Sequence, residues 1–171
     1  MASQLRVDKI LPVDGAPTGG GGGIVQAVGP TSYTTTNGTN INHNSGGSVG
    51  PTYLGSQFNV TITPKFSSSK ILIVGTISSV GAANCNVTTF IKSHLYRHIA
   101  GGSATDTGHS CGTYQANNTY STHTILHIDA PNTTSAVTYK IYGSGSGATG
   151  GQYAWQRTNG SSTFLAMEIS A

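Results

Sequence analysis

From Ile24 onward one pattern recurs. Apolar residues fall at every second position over a strand's length, then Gly, Ser, Asn or Pro breaks the run. Phe58, Val60 and Ile62 alternate with Asn59, Thr61 and Thr63 and stop at Pro64. Side chains two residues apart share a face only in a strand, so this spacing predicts half-buried β-structure. The same reading gives strands over 24–28, 58–63, 70–77, 86–99, 119–129, 136–142 and 162–169. The unbroken stretch Ile71–Val74 predicts burial on both faces of its strand.

Composition agrees with the pattern. Ile and Val together number 23 against 7 Leu, and Lys, Glu, Arg and Gln are scarce. β-branched chains suit a pleated surface, and the usual surface helix formers are missing. Short strands with Gly/Ser/Asn turns predict an all-β, jelly-roll-like β-sandwich over residues 24–171. Within it, residues 29–56 read as a long loop or weakly paired β-ribbon.

Residues 1–23 have a different character. Leu5, Val7 and Ile10 lie among Arg6, Asp8 and Lys9, and Pro12 and Pro17 bar a helix or a central strand. Gly19–Gly23 then form a flexible hinge or a place where backbones crowd. The segment predicts an extended arm that docks on another chain through Leu5, Val7 and Ile10.

The same arithmetic narrows function. Only 8% of residues are charged, and the eight Lys and Arg are scattered, which predicts no nucleic-acid binding. No apolar run approaches the ~20 residues that span a bilayer, so no membrane insertion is expected. MASQLRVDKILP does not read as a signal peptide. The acids are Asp8, Asp14, Asp106, Asp129 and Glu168, with no catalytic fingerprint around them, and no enzyme activity and no cofactor are expected. His94/His98 and His123/His127 are i,i+4 pairs. Residues two pleats apart lie ~13 Å apart along a strand, so no metal site is expected. Cys85 and Cys111 read as buried thiols or as one disulfide.

Four segments resemble a known group. SQLRVDKILPVDGAPTGGGGGIVQ at the N-terminus, ITPKFSSSKILI, HIDAPNTTSAVTYKIY and the closing STFLAMEI are similar to recurrent elements of small tail-fibre or virion structural proteins of phages that infect aquatic bacteria, cyanophages above all. That resemblance implies a homotrimer with a tumour-necrosis-factor-like jelly-roll body, assembled in the host cytoplasm. It implies an arm that attaches to other tail or baseplate proteins, a place on the virion tail, and recognition of host cell-surface polysaccharide. A capsid decoration (cement) protein is the alternative. Residues 100–118 and 143–160 match none of these elements and are expected to be variable loops.

The contact residues expected for receptor binding lie in those two loops. Trp155, with Tyr153, Gln156 and Arg157, combines aromatic faces for sugar C–H groups with planar polar groups for hydroxyls. His109 and Tyr114, near Asp106 and Gln115, sit on a second glycine-rich frame. The outward residues of strand 86–99, including Phe90, His94 and Tyr96, lack the charge of a solvated face, and the trimer is expected to cover them.

Overall fold

A computed structural model describes residues 23–34, 39–43, 48–83, 88–147, 151–156 and 160–170. Leu5, Val7, Ile10, Cys85 and Arg157, and the proposed hinge before Gly23, lie outside the described residues. The strands are β1 (Ile24–Thr34), β2 (Thr39–His43), β3 (Val49–Tyr53), β4 (Asn59–Ile62), β5 (Lys70–Ala83), β6 (Thr89–Ile99), β7 (Thr105–Gln115), β8 (Tyr120–Asp129), β9 (Val137–Ser146), β10 (Gly151–Trp155) and β11 (Ser161–Ile169).

These strands form two antiparallel sheets. In the six-stranded sheet β5 is central: β8 lies along one edge, while β11 and then β10 share the other, with β1 beyond β11 and β2 beyond β10. In the five-stranded sheet β9 pairs with β6 on one edge and with β4 and β3 on the other, and β7 lies beyond β6. Setting aside β2, β3 and β10, the remaining strands pair first with last (β1·β11), second with seventh (β4·β9), third with sixth (β5·β8) and fourth with fifth (β6·β7). That nesting is the wiring of a jelly roll, so the all-β sandwich expected from the sequence is present.

Residues 29–56 differ from expectation. They do not form a ribbon with themselves among the described residues. β1 joins β11, β2 joins β10 and β3 joins β9, so one polar segment contributes strands to both sheets.

The core lies between the sheets, and alternation fills it. In β6, Ile91, Ser93 and Leu95 point inward; in β9, Val137, Tyr139 and Ile141; in β11, Phe164 and Ala166. Phe58, Val60, Ile62, Ile71, Ile73, Ile77 and Ile125 belong to the same continuous cluster, as do Leu54, Val80, Ala82, Tyr153 and Trp155. β5 corrects the expectation of two-faced burial. Ile71 and Ile73 are fully buried, whereas Leu72 and Val74 are only half-buried, on the outer face.

Two acids tie the ends of the sandwich. Glu168 is fully buried, and its Oε1 accepts the backbone N–H of Lys65 (2.8 Å) and of Phe66 (3.1 Å) while Oε2 accepts Gln26 Nε2 (2.6 Å). Asp129 accepts two contacts from Arg97 Nη1 (2.8 and 3.0 Å) and one from the Tyr139 hydroxyl (2.8 Å). Burial first, and then this bond, push the Tyr139 phenol far above its ordinary range.

Candidate contact surfaces

The residues expected to bind sugar around Trp155 are mostly interior. Trp155, Tyr153 and Gln156 are essentially unexposed. The expected loop is strand β10, which hydrogen-bonds β5 and β2 and turns its rings into the core. The cause is written in β9. Gly143 and Gly145 face inward, and the Trp155 and Tyr153 rings occupy the space a Cβ would need there. The indole Nε1–H donates to Ser93 Oγ (3.0 Å), and Ser93 Oγ lies 2.8 Å from His123 Nδ1. A hydroxyl that accepts the indole proton can still donate its own to Nδ1 of a neutral His123. Burial agrees, lowering the His123 pKa to about 4. Gln156, at positive φ, closes the chain by donating its N–H to Ser78 O (2.9 Å) and its Nε2 to Gly160 O (3.1 Å). No face of the indole is open to a ligand, which corrects the expected contact role.

The second expected loop, 100–118, is mostly strand β7. His109 and Cys111 sit on its inner face, half-buried, at the open side where β7 faces β8. The His109 ring is 5.1 Å from that of His127. Burial, and then the neighbouring His127, lower the His109 pKa. Tyr114 points outward, 73% exposed, with its ring 4.7 Å from Phe90. Of the expected contact residues described, Tyr114 alone presents a broad open face. Among the described residues no three His, Cys, Asp or Glu side chains converge as a metal site.

Two outer surfaces remain, and they differ in chemistry. On the six-stranded sheet, cross-strand register sets Ala27, Met167, Leu72 and Ile128 in one row and Leu165, Val74 and Leu126 in the next. Ile128 is 56% and Leu126 63% exposed. A third row is Thr163, Thr76 and Thr124, so the centre of this face carries no charge.

The five-stranded sheet presents aromatic and hydroxyl groups instead. Register aligns Ser146, Phe90 and Tyr114, then Ser144, Lys92 and Gly112, then Tyr142, His94 and Ser110. Tyr142 packs between Tyr53 and Tyr96, at centroid distances of 5.6 and 4.3 Å. His94 Nε2 lies 2.7 Å from Ser144 Oγ. Its pKa is lowered by burial, with Asp106 opposing and Lys92 adding to the shift. Between this strand face and the Ser48–Pro51 segment runs a groove of about 240 Å³ lined by Phe90, Lys92, His94, Ser144 and Ser146. The sequence signal was present in the Gly-Ser alternation of residues 143–146, which sets glycines under the core rings and serines outward.

No protein-family model and no curated protein matches the chain. Among solved structures it is similar to a chain in the structure of infectious bursal disease virus, Gx strain, with a TM-score of 0.50 and 15% identity over 98% of this chain and 38% of that one. Chains of the Gt strain (TM-score 0.40, 11% identity, 98% and 43% covered) and of the T13 particle of the same virus (0.42, 10%, 98% and 40%) are also similar. This chain spans less than half the length of those chains. The Gx-strain likeness, at this identity, establishes a shared fold: the two-sheet β-sandwich.

Proposed function

We propose that the protein is a non-enzymatic virion structural protein, a phage tail-fibre or receptor-binding component that works as a homotrimer. The observation that carries this reading is the aliphatic outer face built from Leu72, Val74, Leu126, Ile128, Leu165 and Met167. Soluble monomers rarely expose large contiguous apolar patches, and such patches mark interaction surfaces. An uncharged, rigid sheet centre suits a second and third copy of the same chain packed around an axis, where like charges would repel. The aromatic face around Phe90 and Tyr96, first expected to be covered, then stays outside. It carries Lys92, Lys140 and Asp106 and is the better candidate for meeting host-surface polysaccharide. Residues 1–23 supply the attachment arm to tail or baseplate proteins. The non-enzymatic part is supported by Asp129 and Glu168, whose carboxylates are engaged by Arg97, Tyr139, Gln26 and backbone N–H groups.

A second reading, a capsid decoration protein, is favoured by the likeness to a chain of a virus structure. Location and copy number in purified virions decide between the two. Antibody labelling at the tail, with a few trimers per particle, is the expected result. Hundreds of copies on the head would select the decoration reading. Absence from virions would overturn both.

A further inference from the structure

We infer that the groove beside Phe90 binds the acidic, carboxylate-bearing sugar units of a polysaccharide. This deepens the proposed contact with host polysaccharide and rests on it. Three features converge. The Phe90 and Tyr114 rings, 4.7 Å apart, together make an aromatic surface of the kind that sugar C–H groups stack on, with Tyr114 73% exposed. Ser144 and Ser146 bring hydroxyls to the groove from β9, in register with Lys92 and Phe90, as partners for sugar hydroxyls. Lys92 Nζ stands over the Phe90 ring, 5.2 Å from its centroid, and its charge is not matched by an ion pair among the described residues, where Arg97–Asp129 is the one salt bridge. A sugar resting on this aromatic surface would bring its carboxylate beside an ammonium with donors to spare.

Size and accessibility agree. At about 240 Å³ the groove is smaller than the ~300–1,000 Å³ clefts that enclose drug-sized ligands, and suits one sugar unit of a longer chain. It opens on the five-stranded sheet, away from the aliphatic face assigned to the trimer. Asp106 is the nearby acid. It lies toward the Tyr96 end, where it accepts the Gly108 N–H (2.8 Å) and faces Tyr96 in the strand register, leaving the Phe90–Lys92 end cationic.

The test is an NMR titration of the full chain with trigalacturonate and, in parallel, with neutral maltotriose. Trigalacturonate at millimolar concentration should shift the Phe90, Lys92, Ser144 and Ser146 resonances, and maltotriose should bind more weakly. Lys92→Gln should weaken trigalacturonate roughly fivefold and leave maltotriose unchanged. Phe90→Leu, which keeps the apolar volume, should weaken both. Equal affinity for the two probes, no groove shifts, or insensitivity to Lys92→Gln would each overturn the assignment. So would the same resonances moving when residues 1–22 are deleted, since the groove would then belong to the chain's own arm. Groove binding by a protein absent from virions would remove the virion reading and keep the site. A virion protein whose groove ignores trigalacturonate would lose the site alone.

Discussion

Gly143 lies beneath Trp155. On the inner face of β9 it leaves open the space that the far edge of the indole fills, and any Cβ there would overlap the ring. Gly145 bears the same relation to Tyr153. A stretch that looks like a flexible GSGSG loop is thus a strand whose missing side chains are part of the packing.

Gly143→Ala should therefore destabilise the fold although alanine is otherwise the better strand residue. Overpacking a filled core costs ~1–3 kcal/mol. Each kcal/mol lowers Tm by roughly 2–4 °C in a chain of this size. Calorimetry at fixed protein concentration reads the shift. An unchanged Tm would mean that the indole has room to move aside.

The buried His123 predicts a pH dependence. Its folded-state pKa, about 4, lies below the ordinary value of 6.5, so between those values the unfolded chain binds the extra proton. The stability this gives is fully present above pH 6.5 and is lost as the pH falls toward 4. From pH 7 to 5 the loss is about 2 kcal/mol. Urea midpoints at the two pH values measure it. His94 and His109, both lowered by burial, add to the slope in the same direction. His123→Gln, which keeps an acceptor for Ser93, should flatten the dependence without abolishing it.

Glu168 links two segments far apart in sequence. Its Oε1 holds the N–H groups of Lys65 and Phe66 at the turn that leads into β5. Replacing Glu168 by Gln removes the charge and turns one acceptor into a donor. Hydrogen bonds to a charged group are worth ~1.5–3 kcal/mol each, so a loss of that order is expected. Hydrogen exchange gives the sharper reading: the Lys65 and Phe66 amides should lose protection more than those of β6. A uniform loss across the sandwich would show that the carboxylate supports the whole fold and not this turn.

Much of the sandwich was legible because alternation and burial coincide in β4, β6, β8, β9 and β11. Asp129 and Tyr139, both inside the segment HIDAPNTTSAVTYKIY, proved to bond each other. The failures share a cause. β7 reads TDTGHSCGTYQ, with Thr107, His109, Cys111 and Thr113 on its inner face, so no apolar period marks it. It faces the open side of the sandwich, where inner positions stay half-buried and need not be aliphatic. β10 was hidden in the opposite way. Glycines around QYAW suggested a loop, while the partners that pull Tyr153 and Trp155 inward are glycines of β9, which leave no hydrophobic signal. The groove was missed because serines that line a surface and serines of a turn look alike in sequence.

The aliphatic face gives the last prediction. Leu126 and Ile128 stand on the outer face of β8, opposite Val74 and Leu72 of β5. Neither reaches the core, so changing them need not disturb the inner side of the sheet, where Ile125 is buried. The double substitution Leu126→Lys, Ile128→Lys places two charges where the proposed trimer brings three copies together, and burying unpaired charges costs several kcal/mol per ion. Light scattering should give three times 17.5 kDa for the native protein and 17.5 kDa for the variant. Far-UV circular dichroism should be the same for both. The paired variant Lys92→Gln, on the other sheet, should remain a trimer. A lysine variant that still sediments as a trimer would sink the interface assignment. A native protein that is a stable monomer at micromolar concentration would sink the trimer itself and leave this face to a different virion protein.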